Sequence, residues 1–208
     1  MQLADYLLTP NEAAVVADIS VRNVNRAIDE HILPERLFEL KGGRWLRTDA
    51  CAYLRFYFHS AKRLTADERV RIIGILATPA KGTNPLDLIV GDDFITVNFN
   101  RYVAETTARH EALVRAREQV VEDPDVLGGL PILRGTRIPV HDIAAAVAAG
   151  QSVDRIKQAY SGLDDESIEL AALYAEAHPP RGRPRRPAAL EPRLKLVAER
   201  KVPRHARK

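Results

Sequence analysis

The stretch that most constrains the fold of this chain lies at residues 128–140, where glycine, proline and arginine interrupt a run of branched apolar residues. Gly128, Gly129 and Pro131 precede a short apolar run, residues 134–137 make a basic turn, and a second proline leads into an alanine-rich segment. Gly and Pro mark turns and strand ends, because Gly adopts conformations closed to other residues and Pro cannot donate a ladder hydrogen bond. The stretch is too short to fold alone, and we interpret it as a β-arm.

Three short helices are predicted after this arm. Residues 141–149 end at Gly150, Ser152 caps residues 153–160, and Asp164 opens a third helix that a proline pair stops. Gly is favoured just past the last turn of a helix, whereas Ser and Asp accept hydrogen bonds from the free N–H groups of the first turn. The C-terminal half is therefore expected to hold a three-helix module preceded by a β-arm.

Residues 119–178 resemble the module shared by many VapB-type antitoxins, which was long catalogued only as a domain of unknown function. The matching positions are Asp123, Pro124, Gly128, Gly129, Pro131, residues 134–140, Gly150, Ser152, Ile156, Tyr160 and Leu163. So many positions in one continuous stretch are not expected by chance. The resemblance covers less than a third of the chain, and it implies a non-enzymatic antitoxin that neutralises a PIN-domain ribonuclease and represses its own operon.

Length and composition indicate a soluble globular protein. The 208 residues can hold one large domain or two small ones, with 46% hydrophobic and 28% charged residues. The single cysteine, Cys51, excludes an internal disulfide and a cysteine-cluster metal site, which suits a reducing cytoplasm. The first residues lack a secretory signal, and no run approaches the roughly 20 apolar residues that span a bilayer. We therefore expect a cytoplasmic protein that does not bind a membrane.

The net charge of +3 hides a strong asymmetry. Residues 181–208 hold eleven Lys or Arg and two Glu, a net charge of +9, so residues 1–180 carry −6. A basic tail on an acidic body concentrates the attraction for an acidic partner in one segment.

Residues 1–62 are expected to form a winged helix-turn-helix DNA-binding domain. Thr9 and Glu12 form a capping box with a proline at the first helical position. A short turn ends at Ser20, which caps a second helix over residues 21–30. Helix, turn and helix in this order predict the helix pair of a DNA-binding unit.

The second helix has the composition of a recognition helix. A step of about 100° per residue places Val21, Val24 and Ile28 on one side. The residues predicted for the opposite, DNA-facing side are Arg22, Asn23 and Arg26. Arg can donate two hydrogen bonds to guanine and Asn can bond adenine, so this side can contact bases in the major groove.

A hairpin follows the helix pair. Residues 37–40 and 45–47 are the predicted strands, and residues 41–44 form a glycine-rich turn with Lys41 and Arg44 at its tip. These two cations are expected to contact the phosphate backbone as a wing. The order of elements resembles MerR or excisionase-type DNA-binding domains; the alternative is a helical hairpin that only packs.

Residues 63–118 are expected to form a linker that supports dimer geometry. A helix opened by Thr65 in a second capping box is followed by a two-stranded hairpin and by an exposed, charged helix over residues 101–119. Asp92 and Asp93 at the hairpin turn are interpreted as turn residues rather than metal ligands, because a metal site needs several converging ligands.

The third helix of the C-terminal module is a rival candidate for contacting DNA. Its apolar side is predicted to be Ile168, Ala171, Ala172 and Ala175. Its remaining surface carries Asp164, Asp165, Glu166, Glu169 and Glu176. Phosphates repel carboxylates, so we expect this helix to pack or dimerise rather than to bind DNA.

The basic tail at residues 179–208 is expected to bind a partner. Its proline-rich first part should stay extended, and its second part can form a short helix that is marginal in water without a partner. The residues predicted to bind the toxin are Arg181, Arg183, Arg185, Arg186, Leu190, Arg193, Leu194 and Val197. An arginine can pair with the Mg²⁺-binding carboxylates of a PIN-domain nuclease. Two alternatives remain: Arg181 to Pro184 resembles the core of an AT-hook that enters the minor groove, or the tail only confers solubility.

The resemblance implies an antitoxin that neutralises a PIN-domain, VapC-like ribonuclease, and together with the patterns of the N-terminal domain and the tail we expect a homodimer that binds the toxin through its tail and represses transcription by binding operator double-stranded DNA. The alternative is a DNA-binding transcriptional regulator without a toxin partner. An enzyme is disfavoured, because the six histidines show no ligand spacing, Cys51 lies in no nucleophile motif and no phosphate-binding glycine loop occurs. We expect no cofactor and no metal.

Overall fold

The computed structural model of the chain describes residues 7–78, 87–90 and 95–180. Within these ranges the protein is mainly helical with a few short antiparallel strands, as the sequence predicts. The helices are α1 (Pro10–Ala17), α2 (Val21–Asp29), α3 (Ala50–His59), α4 (Ala66–Ala77), α5 (Asn100–Gln119), α6 (Val140–Ala148), α7 (Val153–Ala159) and α8 (Asp165–Ala177).

The strands of the described ranges form three small antiparallel sheets. The first has the order β1-β3-β2, the second pairs β4 with β5, and the third pairs β6 with β7. Their bounds are β1 (Leu7–Leu8), β2 (Phe38–Glu39), β3 (Trp45–Arg47), β4 (Asp87–Val90), β5 (Ile95–Asn98), β6 (Val120–Val121) and β7 (Ile132–Leu133). Both predicted hairpins are confirmed, and the arm at β7 pairs with the strand that directly follows α5.

Both predicted capping boxes are confirmed. The Thr9 backbone N–H donates to Glu12 Oε2 at 2.8 Å at the start of α1, and Thr65 donates to Glu68 Oε2 at 2.7 Å at the start of α4. Each box satisfies N–H groups that have no partner inside the helix, which fixes where the helix begins.

The turn between α1 and α2 depends on two local devices. Asp18 ends α1 in the left-handed conformation with φ 55°, and Ser20 Oγ accepts a hydrogen bond from the Asn23 N–H at 3.2 Å at the start of α2. Val24 and Ile28 are buried on the inner side of α2, as the periodicity predicts. The chain therefore passes from α1 to α2 within three residues and presents the other side of α2 outward.

A first hydrophobic core joins the N-terminal sheet to α1, α2, α3, α4 and α5. Leu8 and Leu46 come from the sheet, and Phe56 comes from α3. The Phe56 ring packs edge-on against Phe99 and Tyr102, with ring centroids 6.0 and 5.5 Å apart. These aromatic contacts attach the start of α5 to α3.

A second core lies among α5, α6, α7 and α8, and α8 joins it to the first. Ile168 and Ala171 of α8 are buried in the second core, whereas Ala177 at its end belongs to the first. α8 contacts α6, α5 and α1. The apolar side predicted for α8 is thus packed within the chain, and the carboxylates predicted for its surface are exposed.

The expectation that residues 101–119 form an exposed helix is wrong. Leu113 and Ala116 of α5 are fully buried, and Thr106 and His110 are buried in line with them. α5 contacts α1, α3 and α8, so one of its sides is packed within the chain. The pattern is hard to detect because two of its four buried positions carry polar side chains, which conceal the helical period.

Two groups of predicted residues lie outside the described ranges. They are Asp92 and Asp93 at the hairpin turn, and the whole predicted toxin-binding set at residues 181–197. Within the described ranges, no helix is both long enough and apolar enough to cross a membrane.

Candidate nucleic-acid interface

The outer side of α2 presents the three polar residues that the sequence predicts. Arg22 and Arg26 are exposed, and Asn23 is half-buried in the first turn. Buried Val24 and Ile28 hold the opposite side of the helix against the first core, so the backbone beneath these groups is fixed. Donors on a rigid helix keep the geometry that base contacts require.

Arg26 is engaged within its own helix. Its Nε lies 2.9 Å from Glu30 Oε2, and both side chains are 52% exposed. An ion pair this exposed is weakened by the surrounding water, so another anion can replace Glu30 as the partner of Arg26.

The two cations predicted at the hairpin tip lie in different environments. Lys41 is exposed at the turn, whereas Arg44 turns back onto α2. Arg44 Nη2 lies 2.8 Å from Asp29 Oδ1, and Arg44 Nη1 donates to Asn25 Oδ1 at 2.9 Å. These contacts hold the hairpin against the outer side of α2, a role for Asn25 and Asp29 that their spacing in sequence did not reveal.

The five predicted DNA-binding residues thus lie on two adjacent elements. Three come from α2 and two come from the hairpin, and Arg44 connects the elements directly. Acidic groups share this surface, because Asp29 and Glu30 end the same helix. The cationic and amide side chains of α2 therefore come before its acidic C-terminal end.

A second basic feature, not predicted from the sequence, lies beside the turn between α1 and α2. It is a cleft of about 320 Å³, which we call the basic cleft. Its lining residues are Arg55, His59, Ser60, Lys62, Arg63, Arg101, Tyr102 and Glu105. They come from the end of α3, the loop that follows it and the first turns of α5, so no contiguous motif could have indicated the cleft.

Arg55 ties this cleft to the turn. Its Nη1 lies 2.9 Å from Asp18 Oδ2, and its Nε lies 2.7 Å from Glu105 Oε2. The hydrogen bond from Arg55 lowers the pKa of Asp18, burial opposes the shift, and the charge of Arg109 adds to it. The Asp18 carboxylate thus stays ionised and holds α3 and α5 against the turn.

A buried carboxylate holds the two cores together on another side of α1. Glu12 accepts hydrogen bonds from Thr9, pairs with Arg117 of α5, and lies 2.8 Å from His178 Nε2 at the end of α8. Burial raises the pKa of Glu12, but the hydrogen bonds from His178, Arg117 and Thr9 outweigh it and lower the pKa to about 2. The Tyr174 ring stacks on His178 with centroids 4.4 Å apart.

Cys51 lies in a very different environment. Its side chain is fully buried against α1, and burial, followed by the charge of Asp49, raises the pKa of its thiol. A protonated, inaccessible thiol packs as a small apolar group and is not a nucleophile.

Comparison with known proteins gives two similarities. Residues 120–175 match a family described as a protein of unknown function (DUF433), and they coincide with the arm and the last three helices. The chain is also 44% identical over 206 residues to the uncharacterized protein y4eO of Sinorhizobium fredii (strain NBRC 101917 / NGR234). That match covers 95% of this chain and 93% of the relative. No solved structure matches the chain. Identity at this level over nearly the full length of both proteins places the chain in the same family as y4eO.

Proposed function

We propose that this protein is a DNA-binding transcriptional repressor that also serves as the antitoxin of a PIN-domain ribonuclease. The observation that carries the DNA-binding half is the side of α2 that faces away from the core. Arg22 and Asn23 lie there in the first turn of a Ser20-capped helix, next to a basic hairpin. We interpret α1 and α2 as a helix-turn-helix and β2–β3 as its wing.

The proposed contacts follow from the chemistry of these groups. The N-terminal half of α2 enters the major groove, where Arg22 can donate two hydrogen bonds to guanine and Asn23 can bond adenine. Arg26 exchanges Glu30 for a phosphate, and Lys41 contacts the phosphate backbone from the hairpin tip. Arg44 then acts mainly by positioning the hairpin, because its guanidinium is held by Asp29.

Replacing Arg22 or Asn23 by alanine should weaken binding to the protein's own promoter DNA by roughly 5- to 150-fold, because each base contact contributes about 1–3 kcal/mol. Fluorescence anisotropy with the promoter duplex and a scrambled duplex measures the affinity and its sequence dependence. Arg71→Ala is the matched control, since Arg71 is exposed on α4. Wild-type sequence preference in both α2 variants would refute the assignment of α2 as the recognition helix.

The antitoxin half rests on the resemblance of residues 119–178 to the VapB-type module and on the charge of the tail. Residues 181–208 carry +9 directly after the end of the described body. In the proposed mechanism, arginines from positions 181–186 enter the nuclease site and pair with its metal-binding carboxylates. Leu190, Leu194 and Val197 anchor the tail beside that site.

The full chain, used as bait in the native host, should retain a small acidic nuclease that a chain ending at His178 does not retain. The retained protein is identified and assayed for Mg²⁺-dependent RNA cleavage, which added full chain should inhibit. Capture by both forms would move the toxin contact into the body. If neither form retains a nuclease while both bind promoter DNA, the protein is a repressor without a toxin, which is the alternative function.

The proposed repressor acts as a homodimer. Repressors of this kind bind two half-sites about one helical turn apart, so each α2 of a dimer contacts one half-site. Analytical ultracentrifugation at micromolar concentration distinguishes this assembly from a monomer.

A further inference from the structure

We propose that the basic cleft is a phosphate-binding site, and that its phosphate belongs to the DNA backbone that borders the groove entered by α2. This inference rests on the proposed DNA-binding function and adds a second contact region to it. Four cationic side chains line the cleft, from Arg55, Lys62, Arg63 and Arg101, against one carboxylate, from Glu105.

The carboxylates near the cleft already have partners. Glu105 pairs with Arg55 and with Arg101, each at 2.7 Å. Asp18, behind the cleft wall, pairs with Arg55 at 2.9 Å and with Arg109 at 3.4 Å. Two carboxylates thus face three arginines, which leaves the site with excess positive charge before any other group is considered.

Lys62 and Arg63 add two further charges at the rim. Both side chains are exposed, and neither makes an ion pair with a carboxylate of the described part of the chain. They lie in the turn that follows α3, where the N–H groups of Arg63 and Leu64 donate to the Ser60 carbonyl oxygen at 2.9 and 3.0 Å. A concave site lined by several cations suits the oxygens of a phosphate.

The position of the cleft favours DNA as the source of the phosphate. His59 Nε2 lies 3.2 Å from the carbonyl oxygen of Asp18, and Asp18 stands two residues before Ser20, the cap of α2. The cleft therefore lies beside the N-terminal end of α2, where Arg22 and Asn23 lie. A duplex whose major groove receives that end has phosphates along the groove edge, and a cation cluster beside the helix can contact them.

The double variant Lys62→Ala/Arg63→Ala of the full chain tests the inference. Two lost phosphate contacts should make the slope of log affinity against log salt shallower by about 1.8 on a double-stranded site. Affinity should fall equally for promoter and scrambled duplexes, so the ratio between them stays constant. The control Arg71→Ala/Arg155→Ala removes the same charge from exposed positions on α4 and α7 and should leave the slope unchanged.

A second arm separates DNA from a free phosphate compound. Isothermal titration calorimetry with inorganic pyrophosphate and with ADP compares the wild-type chain with the two double variants. A changed salt slope supports the DNA phosphate. If the wild-type chain binds no duplex, the proposed DNA-binding function fails. In that case the calorimetry decides whether the cleft binds a free phosphate compound. It does so if the wild-type chain binds pyrophosphate or ADP and only Lys62→Ala/Arg63→Ala abolishes this binding. If the two double variants have the same salt slope and the same affinity for pyrophosphate and ADP, the cleft is not a phosphate-binding site.

Discussion

Replacing Glu12 by alanine should lower the free energy of unfolding by about 3 kcal/mol, the lower end of the range for a broken buried ion pair. The Glu12 side chain is 6% exposed and lies between Arg117 of α5 and His178 at the end of α8. Its removal leaves the Arg117 charge without its carboxylate. We expect a loss of stability at the lower end of this range because the Arg117 side chain is 31% exposed and can regain contact with water.

Glu68→Ala is the matched control for this prediction. Glu68 occupies the same capping-box position at the start of α4, with nearly the same hydrogen bonds to Thr65, but among the described residues it makes no ion pair with another helix. Urea denaturation measures the difference in the unfolding midpoint. We expect a much larger shift for Glu12→Ala than for Glu68→Ala. Equal shifts would mean that Glu12 acts only as a helix cap.

The Glu12 contacts mark a limit of sequence analysis in this chain. Thr9 and Glu12 are three residues apart, so the capping box is a local pattern that sequence alone predicts. The pairs with Arg117 and His178 join residues more than 100 positions apart. No local pattern encodes such a pair, because the packing of α1 against α5 and α8 creates it.

The same distinction applies to the candidate interface. Arg22, Asn23 and Arg26 were predicted on one side of α2 because a helix places residues by a fixed period. The attachment of Arg44 to Asp29 could not be predicted in this way, because it depends on how the hairpin folds back onto α2. The basic cleft was missed for a related reason, since its cations come from segments about 40 residues apart.

The largest error concerned α5, and its cause is physical. Charged residues on the exposed side of α5 gave it the composition of a solvated helix, while its buried side includes Thr106 and His110. Thr106 Oγ1 donates to the Tyr102 carbonyl oxygen at 2.8 Å, so the hydroxyl is satisfied inside the helix and can be buried. A polar residue whose hydrogen bonds are made within its own helix can occupy a core position. The composition of that helix then suggests less burial than the structure shows.

The stability of the protein should fall as the pH drops from about 5 towards 2, in part through Glu12. Its folded pKa of about 2 lies below the ordinary value of 4.5, so the folded state favours the ionised form. The stabilisation is fully present above about pH 5 and is lost as Glu12 becomes protonated in the folded state. A shift of this size corresponds to about 3 kcal/mol, at about 1.4 kcal/mol per pH unit.

Glu12→Gln isolates this contribution from the protonation of other carboxylates, including Asp18 and Glu105, whose pKa values are also lowered. The free energy of unfolding of wild type and variant is measured by urea denaturation at several pH values from 7 to 3. The wild-type advantage should be greatest at pH 7 and shrink steadily below pH 5, because glutamine carries no ionisable proton. A difference that stays constant across this range would show that Glu12 stabilises the fold through shape and neutral hydrogen bonds rather than through its charge. The link between α1, α5 and α8 would then persist in acid.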